Sequence, residues 1–200
     1  KDIDAKLTIL HTNDHHGHFE KFAPYPVKDV GGLAAQSTLV NTVRAEVEED
    51  GGQVLVLSAG DINTGIPESD LLDAEPDIML MNMIGYDAMT LGNHEFDNSL
   101  DVLGKQREMA QFPFLAANVT WKKSGEPLVD PYLIKEVGGV KVALLGLITA
   151  DVPILVLPEN VAELEFNDPI TTAARYVPQL RKEADLVIAL THLGLYDKNS

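Results

Sequence analysis

The stretch Leu7-Thr8-Ile9-Leu10-His11-Thr12-Asn13-Asp14-His15-His16-Gly17-His18 decides how the rest of this 200-residue chain is read. Its first four residues form a short apolar run with β-branched members, the composition of a buried strand. Directly behind it stand imidazoles, a carboxylate and an amide, side chains that bind metals and carry protons. Three more short apolar runs end in the same way. Residues 54–57 lead into Ser58-Ala59-Gly60-Asp61, residues 88–91 into Gly92-Asn93-His94-Glu95, and residues 186–190 into Thr191-His192. Five of the six histidines lie in these loops, and the sixth, His11, ends the first strand. In open α/β sheets ligands bind outside the carboxyl ends of strands, so all four clusters fall on the edge where a site belongs.

The segments between these runs are helical in pattern. Leu33, Val40, Val43 and Val47 make one apolar stripe that Gly51-Gly52 ends. Pro76 opens a Met-rich helix that stops near Gly85, and residues 100–110 form another. Residues 114–117 read as a strand, and residues 134–137 with 140–146 as a hairpin around Gly138-Gly139. A helix from about Pro169 holds Pro178 inside it, which predicts a kink or break there. Such strand–helix alternation predicts an α/β layer sandwich with a largely buried sheet. Residues 19–31 and 153–167 are expected as the two long loops. No linker, repeat or low-complexity segment divides the chain, so a single domain is expected.

Composition narrows the function. The chain is 45% hydrophobic and 23% charged, an ordinary globular balance. No apolar run approaches the ~18 residues that span a bilayer. Asp plus Glu number 31 against 15 Lys plus Arg, net −16, which repels a polyanion such as DNA. A small phosphorylated substrate stays open, because a bound cation can dominate the local charge. With no cysteine there is no disulfide, thiolate nucleophile, zinc ribbon or iron–sulfur cluster. There is no Walker A or G-x-G-x-x-G segment, and no serine sits in G-x-S-x-G. Asn118-Val119-Thr120 matches a glycosylation acceptor, a triplet frequent by chance. Gly31-Gly32 suits helix entry, and Met79, Met81 and Met83 suit core packing.

Asp14 and His16 are two residues apart, so in an extended loop both point the same way and can share one ion. His18 has the same parity and competes, whereas His15 points oppositely. Asp61 either caps a turn or bridges two cations with its two oxygens. Asn93 and His94 are neighbours and project oppositely, so the amide oxygen can face a metal while the imidazole faces substrate. Asp97, three residues on, can orient the His94 ring and favour its protonated form. Glu95 is read as structural. His192 alone would be a satisfied core histidine, and only its company makes it a ligand candidate. Mixed oxygen and imidazole ligation without sulfur suits Mn, Zn, Co, Fe or Mg in a paired hydrolytic site. Two such ions about 3.5–4 Å apart stabilise both the attacking and the leaving oxygen of an in-line displacement at phosphorus.

These residues resemble the calcineurin-like metallophosphoesterase superfamily: D-x-H as Asp14 and His16, G-D as Gly60 and Asp61, G-N-H-E as Gly92-Asn93-His94-Glu95, then His192. Residues 10–19, 60–71, 73–77 and 92–98 more closely resemble the N-terminal catalytic domain of the bacterial periplasmic 5′-nucleotidase/UDP-sugar hydrolase family. The resemblance runs over nearly the whole chain. It implies a four-layer α/β/β/α sandwich and two divalent metal ions drawn from Zn, Mn, Co or Mg. Asp14 and His16 would hold one ion, Asn93 and His192 the other, with Asp61 bridging. His94 and Asp97 would be the catalytic pair, and Asn93 and His94 would also touch substrate. Residues 1–200 are then expected to form a metallophosphoesterase domain that is incomplete at its C-terminal end. A Gly-His-x-His or Gly-His-x-Gln segment completing both metal shells, and a C-terminal substrate-binding domain, would follow Ser200.

The function expected from this resemblance is a dimetal phosphohydrolase that releases phosphate from 5′-nucleotides and cleaves nucleotide sugars. A cyclic-nucleotide phosphodiesterase or a thiosulfate-ester hydrolase on the same scaffold is the alternative. A metal-binding fragment without activity is the non-enzyme alternative, against which the His94/Asp97 pair argues, since metal storage does not need it. The expected partner is a small nucleotide or nucleotide sugar, with no nucleic acid and no membrane span, and the full-length form is expected to be a monomer. The start at Lys1 and the resemblance together point to the periplasm or the cell exterior.

Overall fold

The computed structural model of the chain describes residues 5–23 and 26–194. Four strands, β1 (Leu7–Thr12), β2 (Gln53–Ser58), β3 (Ala88–Thr90) and β4 (Phe114–Leu115), form an all-parallel sheet in that order. Their connections carry α1 (Leu33–Glu49), α2 (Pro67–Asp70), α3 (Glu75–Ile84) and α4 (Leu100–Met109). A small antiparallel pair follows, β5 (Val119–Trp121) with β8 (Leu164–Phe166). The second large sheet contains β6 (Tyr132–Val137), β7 (Val140–Ile148) and β9 (Leu186–His192). β6 and β7 are the expected hairpin, and β9 lies parallel to β7. The short α5 (Val152–Leu155) and the longer α6 (Pro169–Glu183) complete the helices among the described residues.

Period-two alternation within the strands builds the layers. Val56 of β2 and Met89 of β3 pack with Leu33, Ile78, Met81 and Leu103 from α1, α3 and α4. Leu55 and Leu57 face the other way and meet Val142, Leu144 and Leu190 of the second sheet. Ala143, Leu145 and Leu147 of β7 then pack outward on Leu180 of α6. The order is helices, sheet, sheet, helix, which is the expected four-layer sandwich. β7 is buried on both faces from Val142 to Ile148, which is why its sequence is a continuous apolar run. At Gly146 the two sheets nearly touch, and a Cβ there would stand 2.5 Å from Cβ of Leu115.

The details depart from expectation in two places. α6 runs unbroken through Pro178. Pro178 and Ala174 are both exposed, so water can satisfy the carbonyl that proline leaves unpaired, while Leu180 and Tyr176 hold the helix on β7. Residues 153–167 are not one open loop but carry most of α5, a 3₁₀ turn (Pro158–Val161) and β8. Of the other long loop, residues 24–25 lie outside the described residues, and Phe22 bridges to Val30 across the rest. Asn118 is buried: its Nδ2 donates to the carbonyls of Ile148 (2.7 Å) and Asn167 (2.9 Å), and its Oδ1 accepts from the N–H of Ile148 (3.0 Å). In the folded chain this amide is a tether between layers and not an acceptor for sugar.

Beyond the ends of β1 and β2 the two chains stay paired. The N–H groups of Asp14, His16 and Gly17 donate to the carbonyls of Gly60 (3.0 Å), Asp61 (3.1 Å) and Ile62 (2.8 Å). The loop after β3 joins through Glu95, which is buried. Its Oε2 accepts the N–H groups of Asp61 (2.9 Å) and Gly92 (2.6 Å), and its Oε1 accepts that of Ile62 (2.8 Å). Replacing Glu95 by Ala strands these three donors in a dry interior, at a cost of about 3 kcal/mol or more. Glu95→Gln keeps an acceptor and should lose less. Urea unfolding of both variants checks this, and equal stability of Glu95→Ala and the parent would show that the brace is not needed.

Candidate metal centre

Asp61 is the pivot of the strand-end cluster and is only 3% exposed. Its Oδ1 accepts the backbone N–H of His94 at 2.9 Å. Its Oδ2 lies 3.2 Å from Nε2 of His192 and 3.9 Å from Nε2 of His16. Oδ1 of Asp14 is 3.7 Å from the same nitrogen of His16. Asp14, His16 and Asp61 all have left-handed backbones, with φ of 53°, 47° and 55°. Non-glycine residues seldom adopt this conformation, and it persists only where the surroundings impose it. Here the β1–β2 extension imposes it, and Gly92 leaves the room. A Cβ at Gly92 would overlap the Asp61 carboxylate.

The ring partners fix which nitrogen faces the cluster. Nδ1 of His192 lies 2.7 Å from the carbonyl of Ala59, and Nδ1 of His16 lies 3.1 Å from those of Asn63 and Thr64. A carbonyl only accepts, so Nδ1 donates and Nε2 is presented to the acidic centre. His94 differs, because its Nδ1 donates to a carboxylate, Oδ2 of Asp97, at 2.6 Å. That oxygen also accepts the Thr64 hydroxyl.

Charge follows this arrangement. Burial opposes a charge on His94, but the Asp97 hydrogen bond and the Asp61, Asp97 and Glu95 carboxylates outweigh it and raise its pKa. His192 is likewise penalised by burial, yet Asp61 beside it pushes its pKa up to about 9. Burial alone would raise Asp61, but His192 and the N–H of His94 win and hold it low. Glu95 goes the other way: burial, then the Asp61 charge, push it up against the N–H groups of Gly92, Asp61 and Ile62.

Among the described residues, two sets each have their ligand atoms within 4.8 Å of one another: His16, Asp61 and His94, and Asp14, Asp61 and His192. Both contain Asp61, and both mix carboxylate oxygen with imidazole nitrogen. This donor set fits a pair of divalent cations sharing one carboxylate. The grouping cuts across the expected division, which put Asp14 with His16 and Asn93 with His192. Asn93 stands at the end of β3, half-buried, immediately before the 3₁₀ turn His94–Phe96. Proximity admits His94 to one group, but its Nδ1 is engaged by a carboxylate, whereas Nδ1 of His16 and of His192 faces backbone carbonyls.

The other histidines are elsewhere. His18 turns back onto the carbonyls of His15 and His16, its ring 4.0 Å from that of Phe22 and tilted 49° to it. His15 points into the helix layer, as its parity requires, and His11 is exposed on β1. Two contributors escape a reading by motif. Thr64 holds Asp97, and Asn160 donates to the carbonyls of Phe96 (3.0 Å) and Asp97 (2.7 Å), clamping the turn that carries His94. A lone Thr or Asn in a loop carries no spacing signal, and only the fold brings them in.

The calcineurin-like phosphoesterase family model matches residues 7–200. The chain is 50% identical over 200 residues to a 5′-nucleotidase of Vibrio vulnificus, covering 98% of this chain and 35% of that protein. It is 48% identical over 201 residues to protein UshA of Escherichia coli, covering 98% of this chain and 36% of that one. A solved 5′-nucleotidase precursor from Thermus thermophilus superposes with a TM-score of 0.80 at 32% identity, over 94% of this chain and 37% of that chain. The chain therefore spans about a third of the length of the curated relatives it matches. The family match runs from β1 past β9 and so takes in every loop that meets at Asp61: this chain belongs to the calcineurin-like phosphoesterase family.

Proposed function

We propose that this chain carries most of the catalytic domain of a metal-dependent phosphohydrolase that releases phosphate from 5′-nucleotides and cleaves nucleotide sugars. The observation that carries the reading is Asp61, buried and common to two ligand groups, with a carboxylate-backed imidazole beside it. The name 5′-nucleotidase, carried by the Vibrio vulnificus and Thermus thermophilus relatives, supports the nucleotide substrate. In this reading Asp14 and His16, whose ligand atoms are 3.7 Å apart, would hold one divalent ion, Asn93 and His192 the other, and Asp61 both, with His94 left out of both sets to face substrate although it lies within reach of one. Two such ions, when bound, supply Lewis-acid activation of phosphate and water.

The chain's own residues do the rest. Asn93 and His94 contact the phosphoryl oxygens. As the bond from phosphorus to the leaving oxygen breaks and the bond to a water oxygen forms, negative charge grows on the phosphoryl group. His94, kept cationic by Asp97, meets that charge and delivers a proton to the leaving oxygen. Thr64 and Asn160 hold Asp97 and its turn in place.

The remaining ligands and the groups that read the nucleotide would come from further chain, and the curated relatives are nearly three times this length. A cavity of about 470 Å³ between β1 and β9, lined by Ile9, Leu57, Ile188 and Leu190, opens onto Asp14 and His192. Both strands are edges of their sheets, and apolar edges of this kind suit further strands. Among the described residues no helix is long and apolar enough to cross a membrane. A monomeric full-length enzyme in the periplasm or outside the cell, scavenging nucleotides, fits this reading.

The full-length protein should turn over AMP and UDP-glucose faster than cyclic AMP or bis(p-nitrophenyl) phosphate, and the reverse order would favour a phosphodiesterase. Asp61→Asn should lower metal content by more than one ion per full-length chain and abolish turnover, read by elemental analysis and AMP hydrolysis. Two retained ions with surviving activity would remove Asp61 from the bridging position. His94→Ala should retain its metals while turnover falls by ~10²–10⁴. Loss of metal in that variant would make His94 a ligand.

A further inference from the structure

His15 stands between Asp14 and His16, yet its ring is buried on the far side of their loop. Nε2 of His15 donates to Oδ1 of Asp77 at 2.8 Å, and Oδ2 of Asp77 accepts the Ser69 hydroxyl at 2.5 Å. Asp77 and Ser69 are fully buried, and the His15 side chain is 7% exposed. Asp77 lies in the first turn of α3, where the helix dipole favours a carboxylate. Ser69 belongs to α2 and also abuts Gly17, where a Cβ would stand 2.7 Å from that of Ser69. Three separate elements therefore converge under the loop that presents Asp14 and His16.

A buried His–Asp pair is a poor way to gain stability, because desolvation offsets most of its attraction. What it fixes is direction. The residues on either side of His15 have φ of 53° and 47°, so turning His15 out of its seat swings both neighbours. The backbone bonds from Asp14 to Gly60 and from His16 to Asp61 set the height of the loop over β2. The His15 ring sets its rotation. We propose that His15, Asp77 and Ser69 form a buried strut that positions Asp14 and His16, so that divalent-metal affinity is governed from the helix layer as well as from the strand ends. The inference rests on Asp14 and His16 being metal ligands, and the three residues are positioning residues that touch neither metal nor substrate.

The test is Mn²⁺ titration of the full-length protein, with free Mn²⁺ read by electron paramagnetic resonance, at a temperature where every variant is folded by circular dichroism. His15→Ala and Asp77→Ala should each weaken one ion by about tenfold or more, the range of indirect support to metal ligands. The double variant should be no weaker than the weaker single one, because the two act as one unit. Leu180→Ala, which opens the core on the opposite face of the molecule, should lower the unfolding midpoint and leave Mn²⁺ affinity as in the parent. Singles that bind like the parent, single effects that add in full, or an equal loss in Leu180→Ala would overturn the strut. A parent that binds no Mn²⁺ would instead remove the metal reading, and the strut with it. If Asp77→Ala does not fold, Ser69→Ala and Asp77→Asn carry the same measurement, with a smaller loss expected from each and parental affinity in both counting against the inference.

Discussion

The carboxylate of Glu95 ties the end of β2 to the end of β3, and the rest of the centre depends on that tie. A loop after a buried strand has backbone N–H groups that need partners, and here the loops after two adjacent strands share one acceptor. With those amides satisfied from within, the side chain of Asp61 is released to face outward. Two carboxyl groups so close together would repel if both faced the same medium. They are separated by partner instead: Glu95 is wrapped in amides, and Asp61 faces the imidazoles of His16 and His192. Environment and not residue type decides which acid is a brace and which belongs to the centre.

The fold was legible because its strands are short, buried and punctuated. The β2 and β7 runs are apolar on both faces, and Gly138-Gly139 marks the hairpin. Asp14 and His16 do lie to one side and His15 to the other, although both neighbours are left-handed and the loop is not the extended one that parity assumes. Parity failed for His18, where the turn from His15 back to His18 breaks the extended geometry on which parity depends. Pro178 misled because proline's effect hinges on whether the freed carbonyl meets water or protein, which composition does not record. β5 and β8 escaped notice because three-residue strands are too short for any period to show.

What could not be read were the residues outside the strand-end motifs that are held by partners far away in sequence. Asp77 stands 62 residues from His15, and Asn160 63 residues from Asp97. Neither carries a chemical signature beyond being able to hydrogen-bond. The net charge of −16 likewise misleads about the centre, where imidazoles stand among the carboxylates of Asp14 and Asp61 and two of them, His94 and His192, are held toward the cationic form. Acidity of the whole chain and local charge are set by different residues.

His192 reaches Ala59 across 133 residues, and that distance in sequence has a kinetic consequence. Bringing the ends of so long a segment together costs more loop-closure entropy than forming a local contact, and chains rich in such contacts fold more slowly. A chain still emerging, or one arrested before β9 docks, has Asp14 and Asp61 but not the ring that faces them. β9, the last strand among the described residues, delivers the nitrogen that completes one of the two ligand groups, while the other is drawn from the loops after β1, β2 and β3 alone.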